Sequence, residues 1–173
     1  MKLMKFLSVA LVLFGFLLSA PAGALAARTG IVDVNKVYTD SKAAKEADVH
    51  LAKVSAVLQR GMLELEKRME KAPKEERERE IAAGARVLER QMQIEVQAAR
   101  QVVHEAMMEA VREWRKAKGG VVLARQQVLD YSPKLDITDT VIASMNKKTV
   151  KFGDLPVVSF KDDKKADKKS EKK

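Results

Sequence analysis

The side chains able to do covalent chemistry are few in this chain, and their spacing sets most reactions aside. There is no cysteine, which removes thiol nucleophiles, thiolate metal sites and disulfides. His50 and His104 are the only histidines. Neither has a second histidine at metal-ligand spacing, and both read as surface residues. Ser41, Ser55 and Ser132 have no base that the sequence places beside them. Carboxylates are plentiful, but acid–base catalysis needs a pair held in a pocket that excludes water, and these carboxylates are interspersed with lysine and arginine on solvated faces. No glycine-rich loop is spaced to cradle a phosphate. The residues describe a non-enzyme with no cofactor and no metal. What remains is the chemistry of adhesion, in Met62, Met69, Met92, Met107 and Met108, whose unbranched side chains suit adaptable apolar contacts. The plainer role for these methionines is to fill a helical seam.

The element that must position them runs from Ser41 to Lys118. Apolar residues step Leu51, Val54, Leu58, Met62, Leu65, Met69, and then Ile81, Ala85, Leu88, Met92, Val96, Ala99, Val103, Ala106, Ala110, Trp114. Every step is three or four residues, so each run keeps one helical face. Between the runs lies KAPKEERERE, residues 71–80, where Pro73 fits a turn or a first helical turn but not a helix interior. The pattern predicts two long antiparallel helices folded back near 71–76. The second is the longer, at roughly 65 Å for ~1.5 Å per residue. Its greater length implies that its base extends past the first helix or that the first helix starts with a kinked turn. Gly61 and Gly84 read as tolerated defects or as places where the arm bends.

Ahead of the arm, MKLMK, then FLSVALVLFGFLLSA, then a small-residue site ending at Ala26 have the form of a cleaved secretory signal over residues 1–26. The apolar run is shorter than the roughly 20 residues a spanning helix needs. Export would take the chain to the periplasm. Net charge is +9, two units of it from Lys2 and Lys5 in that leader. A basic surface attracts nucleic acid, lipid headgroups or acidic unfolded chains without choosing among them.

Residues 27–40 and 119–147 flank the arm and form a second unit. Ile31 to Val34 reads as a strand, with Val37 and Tyr38 continuing its apolar content. Thr39, Asp40 and Ser41 are cap residues from which the long helix should start. Gly119-Gly120 ends the arm. Val121, Val122 and Leu123, then Val128, Leu129 and Tyr131, read as the two strands of a hairpin around Arg125–Gln127. Asp136 and Asp139 resemble a capping box, opening a short helix from Ile137 to Asn146. Residues 148–173 read as a disordered, lysine-rich tail, in which Leu155–Phe160 is a patch able to dock. Small isolated sheets are marginal in water, and a two-helix hairpin buries a single seam. The strands therefore should pair with those of other copies, through Ile31, Val32, Val34, Val121, Val122, Leu123, Val128, Leu129 and Tyr131. The fold class is α+β, a long antiparallel helical hairpin on a small β-body with a short C-terminal helix.

With GIVDVNKVYTDSKAAKEA at 30–47 and GGVVLARQQVLDYSPKLDITDTVIASMNK at 119–147, the chain resembles the Skp/OmpH family of periplasmic chaperones. The second stretch is the more specific, and the arm resembles the family in pattern alone. The resemblance implies a jellyfish-like homotrimer whose arms enclose a cavity. It also implies an ATP-independent holdase that keeps unfolded outer-membrane β-barrel proteins soluble in transit. Candidate client contacts are then Met62, Leu65, Met69, Met92 and Met107, with Arg68, Arg77, Arg79, Arg86 and Arg90 supplying positive charge near the tip. Each arginine reads first as part of a solvated face. Anionic membrane lipid or lipopolysaccharide is a further partner described for the family, with no motif here to carry it. Two other readings compete. A structural coiled-coil spacer between envelope layers needs the same helices but no β-body. A basic nucleic-acid-binding protein is opposed by interspersed acids and scarce aromatics, and no specific nucleic acid is expected.

Overall fold

The computed structural model describes residues 28–160. The secretory leader expected over 1–26 and the lysine-rich run 161–173 lie outside them. The elements in order are β1 (Thr29–Val32), α1 (Val34–Asp40), α2 (Lys42–Met69), α3 (Lys74–Lys118), β2 (Val121–Ala124) and α4 (Thr138–Met145), with single 3₁₀ turns at Arg125–Gln127 and Pro133–Leu135.

Local signals account for each boundary. The Lys36 N–H donates to the Asp33 carboxylate at 3.2 Å, which caps α1. Ser41 is extended (φ −68°, ψ 149°), so α1 and α2 are separate helices, and its hydroxyl oxygen accepts from the Ala44 N–H at 3.2 Å. A second orphan amide of α2, Lys42 N–H, donates to Asn146 Oδ1 at 2.7 Å, which ties the start of the arm to the end of α4. Thus the first helix does begin with a kinked turn. The long helix α2 starts at Lys42 with Ser41 as its cap, as the cap residues Thr39–Ser41 imply, and α1, capped by Asp33, is the extra turn before it. Val34 and Tyr38 consequently lie on a helix and not on a strand. Pro73 sits immediately before α3 with φ −53°, and Gly119, at φ +74°, closes it.

The arm is the pair α2 and α3. At its base the seam is small and tight, with Ala43, Ala44, Ala47 and Val54 buried opposite Ala99, Val103, Ala106 and Ala110. Toward the tip it opens: Leu58 and Leu65 are buried, but Ile81, Leu88, Met92 and Val96 are half-exposed and Ala85 is exposed. Gly84 lies against Leu65, whose side chain occupies the place a Cβ would take. It is a point of close approach between the two helices.

The body corrects one expectation. β2 does not fold back as a hairpin; it pairs parallel with β1, Thr29 opposite Val121 through Val32 opposite Ala124. The whole arm is therefore the crossover between two parallel strands. A tight hairpin around Arg125–Gln127 needs positive φ in its turn. Among the described residues no non-glycine residue adopts one, and Arg125–Gln127 forms a 3₁₀ turn instead. Val128, Leu129 and Tyr131 then run on without strand pairing. The chain returns to β1 at Asp136, in a bridge to Ile31, with the Ile137 N–H donating to the Ile31 carbonyl at 2.9 Å. There α4 buries Ile137, Val141 and Met145 against Val32 and Val37.

After α4 the chain does not leave the fold, as a disordered tail from residue 148 would. Lys148 reaches Glu113 at 2.6 Å and Glu109 at 2.9 Å on α3. Val150 and Phe152 pack against the core, and the Phe152 ring stacks on His50 with centroids 5.2 Å apart. Val158 lies on Gly61, and the Arg68 guanidinium sits over the Phe160 ring at 5.4 Å. The patch Leu155–Phe160 thus docks on the arm itself. Average composition conceals this, because Val150 and Phe152 stand among charged and small neighbours and the apolar run 155–158 is short.

Candidate functional site

The arm has two faces, one on each side of its seam, and they differ. On one face Ser55, Leu58, Gln59 and Met62 of α2 meet Ala85, Leu88, Glu89 and Met92 of α3 around a shallow apolar groove of about 300 Å³. Nearer the body the same face continues into a hollow of about 590 Å³ lined by Val34, Tyr38, Leu51, Val96 and Val103, with Asp48 and Arg100 on its rim. The lining positions of α2 are spaced three and four apart, so the two hollows form one stripe. The opposite face carries His50, Lys53, Gly61 and Arg68, and residues 150–160 lie along it.

The sequence-derived client candidates separate on this geometry. Met62, Met69 and Met92 are half-exposed at or near the open groove. Leu65 and Met107 are buried in the seam at 8% and 5% exposure, so neither presents a surface. Met108, its neighbour, is the exposed one of that pair. Arg79, Arg86 and Arg90 are exposed on the distal arm and Arg77 is half-exposed. Arg79 pairs with Glu80 at 3.2 Å, and Arg68 pairs with Glu64 at 3.3 Å as well as covering Phe160.

The association candidates separate too. Ile31 and Val32 are fully buried inside one protomer. Val34, Val122, Val128 and Tyr131 are half-buried. Val121 and Leu123 are exposed on β2, and Leu129 is wholly exposed beside them.

Charge on the body is structural. Asp33 is held below the usual aspartate range first by the Lys36 N–H; burial opposes this, and Arg125, whose guanidinium is 2.9 Å away, lowers it further. Asp136 is lowered chiefly by Thr138, whose N–H donates to it at 2.9 Å, and also by Tyr131. Thr138 in turn accepts from the Asp33 N–H at 2.9 Å, so these groups lock β1 to α4. Glu113 is lowered mainly by Lys148, with the Ser144 hydroxyl second. His50 is not the plain surface residue its isolation implies: it is half-buried and forms a platform for Phe152, with Glu95 at 4.0 Å. The sequence signal for this platform would have been Phe152 itself, the sole aromatic between Tyr131 and Phe160. Among the described residues no group of three or more His, Cys, Asp or Glu side chains is gathered for a metal ion. No helix among them is long and apolar enough to cross a membrane.

No protein-family profile and no curated protein matches the chain. A crystal structure from Caulobacter crescentus, described as that of a candidate outer membrane chaperone, OmpH-like, is similar with 19% identity and a TM-score of 0.47. The match covers 78% of this chain and 94% of that one. A likeness this slight carries no function across.

Proposed function

We propose that this protein is a periplasmic, ATP-independent holdase that binds unfolded outer-membrane β-barrel proteins and keeps them from aggregating, working as a homotrimer and not as an enzyme. The observation that carries this reading is the opening of the arm's seam. At its base alanine and valine side chains are buried beneath the hollow that Val96 lines, whereas its distal half leaves Met62, Leu88 and Met92 half-exposed in a groove. A spacer built to hold two layers apart has no use for an unclosed seam, because each exposed apolar group forgoes roughly 25 cal/mol per Å² of burial. A binder of unfolded chains needs such a surface, shallow and flexible. The arginines of the distal arm suit acidic segments of a client, and the same charge suits anionic lipid as a secondary partner.

The uncovered edges support the trimer reading. A parallel pair of four-residue strands with Val121, Leu123 and Leu129 uncovered is an incomplete sheet. Completion by sister copies would set three arms around a shared space. The test is direct: the mature chain at stoichiometric amounts should suppress precipitation of an unfolded β-barrel protein diluted from urea. Unaltered precipitation would leave the spacer as the better reading.

A further inference from the structure

Residues 150–160 show what the second face of the arm is built to hold. Val150, Phe152, Pro156, Val158 and Phe160 are the half-buried residues of this segment, and those between them are exposed. Successive side chains of an extended chain point to opposite sides, so one side of the segment lies on the arm and the other faces water. The lengths agree. Phe152 sits at His50 and Phe160 at Arg68. Eight residues of strand at ~3.3 Å each cover about 26 Å, and the eighteen helical residues between those contacts rise about 27 Å at ~1.5 Å each. The segment is therefore fully stretched along α2.

It is also held lightly. None of its side chains is fully buried. Among the described residues its main chain makes no main-chain hydrogen bonds from Thr149 to Phe160, and one contact to a side chain, from Arg68 to the Phe160 carbonyl at 3.4 Å. The face takes the apolar side chains of residues 150, 152, 156, 158 and 160, with Asp154 in the same register left exposed, and touches the main chain at the Phe160 carbonyl. That is the chemistry of a transmembrane β-strand before it has folded, in which apolar and polar residues alternate.

Building on the holdase reading, we propose that this face is a second client surface of the arm, specific for extended segments with apolar residues at alternate positions, and that residues 150–160 are its tethered resident, displaced when a client binds. Gly61 is the centre of the surface: an added Cβ would lie 2.6 Å from Val158 Cγ1, so only a residue without a side chain lets the chain lie flat there. The groove of Met62 and Met92 on the opposite face stays open throughout.

Two full-length variants test this, because both dislodge the segment while only one leaves the surface free. Val158→Asn with Phe160→Asn releases the distal half and keeps Val150 and Phe152 in the core. Gly61→Leu fills the surface itself. Binding is measured by fluorescence anisotropy with a labelled unfolded β-barrel protein, and hydrogen exchange maps the protected face. A resident seated about nine-tenths of the time weakens apparent affinity about tenfold. The released variant should therefore bind about tenfold tighter, with protection spreading over α2 around Gly61, whereas Gly61→Leu should show no gain. Equal affinities for the released variant and the natural chain, or an equal gain in both variants, would overturn the proposal and leave the holdase reading intact. Failure of every form to bind the client would remove the holdase reading and this proposal with it.

Discussion

Gly61 and Val158 touch so closely that the glycine is defined by its neighbour across the arm and not by its own helix. The contact divides two properties that usually move together. Replacing Gly61 with alanine removes a helix penalty of about 1 kcal/mol but drives a methyl group into the whole branched end of Val158. The arm should melt higher by circular dichroism while a spin label at Ser159→Cys becomes more mobile. A lower melting temperature with unchanged label mobility would contradict this account.

Gly30 is the counterpart in the body. A Cβ there would lie 2.7 Å from Ile137 Cδ1 and 3.1 Å from the Trp114 ring. Gly30→Ala should cost about 1–3 kcal/mol, the usual range for overpacking. Trp114 is the single tryptophan, so its fluorescence should report the displacement without labelling. Urea unfolding followed at that wavelength tests both effects at once.

Acid should loosen the body before the arm. Asp33 and Asp136 both titrate below the ordinary aspartate value of 3.8 in the folded chain. A depressed carboxylate contributes stability that is present above the unfolded value and is lost as pH falls through the folded one. Stability should thus hold from neutral pH to about 4 and decline below it. Asp136→Asn keeps an oxygen for the Thr138 N–H but cannot titrate, and should flatten the decline in urea midpoints measured from pH 5 to pH 2. Glu113, lowered by Lys148, adds to the same slope and couples residues 148–160 to it.

Met62→Glu with Met92→Glu places two carboxylates in the open groove without touching the buried seam. Client affinity should fall at least tenfold, while the helical signal stays unchanged. Met107→Ala, by contrast, should lower stability by about 2–5 kcal/mol, as for a buried methionine, and affect binding only through folding.

Leu129→Asp tests association apart from client binding. Leu129 is fully exposed in one protomer, so the substitution should leave the protomer fold intact. Light scattering at micromolar concentration should give the trimer mass for the natural chain and a lower mass for the variant. A monomer mass for the natural chain would exclude the trimer.

Periodicity made the arm legible, because its helices are long and their apolar steps regular. Pro73 and Gly119 marked their ends for local reasons that hold in any context. The second strand failed differently. Val128, Leu129 and Tyr131 have the composition of a strand, but a strand needs a partner, and the pairing of β2 with β1 is decided by where a 45-residue helix delivers the chain. Alternation over Val150–Phe160 lies in which side chains meet the arm and not in residue type, since Leu155 to Val158 are apolar without a break. The surface that receives it cannot be read from the helix pattern, since Gly61 there looks like a flaw until Val158 is placed upon it.

The outward course of residues 150–160 has a practical corollary. Ser159 is exposed and lies between Val158 on Gly61 and Phe160 on Arg68, well away from the paired strands. Since the chain has no native thiol, Ser159→Cys would give each copy one spin label high on its limb, and the spacing between labels in an assembled particle would gauge how far the limbs splay around cargo.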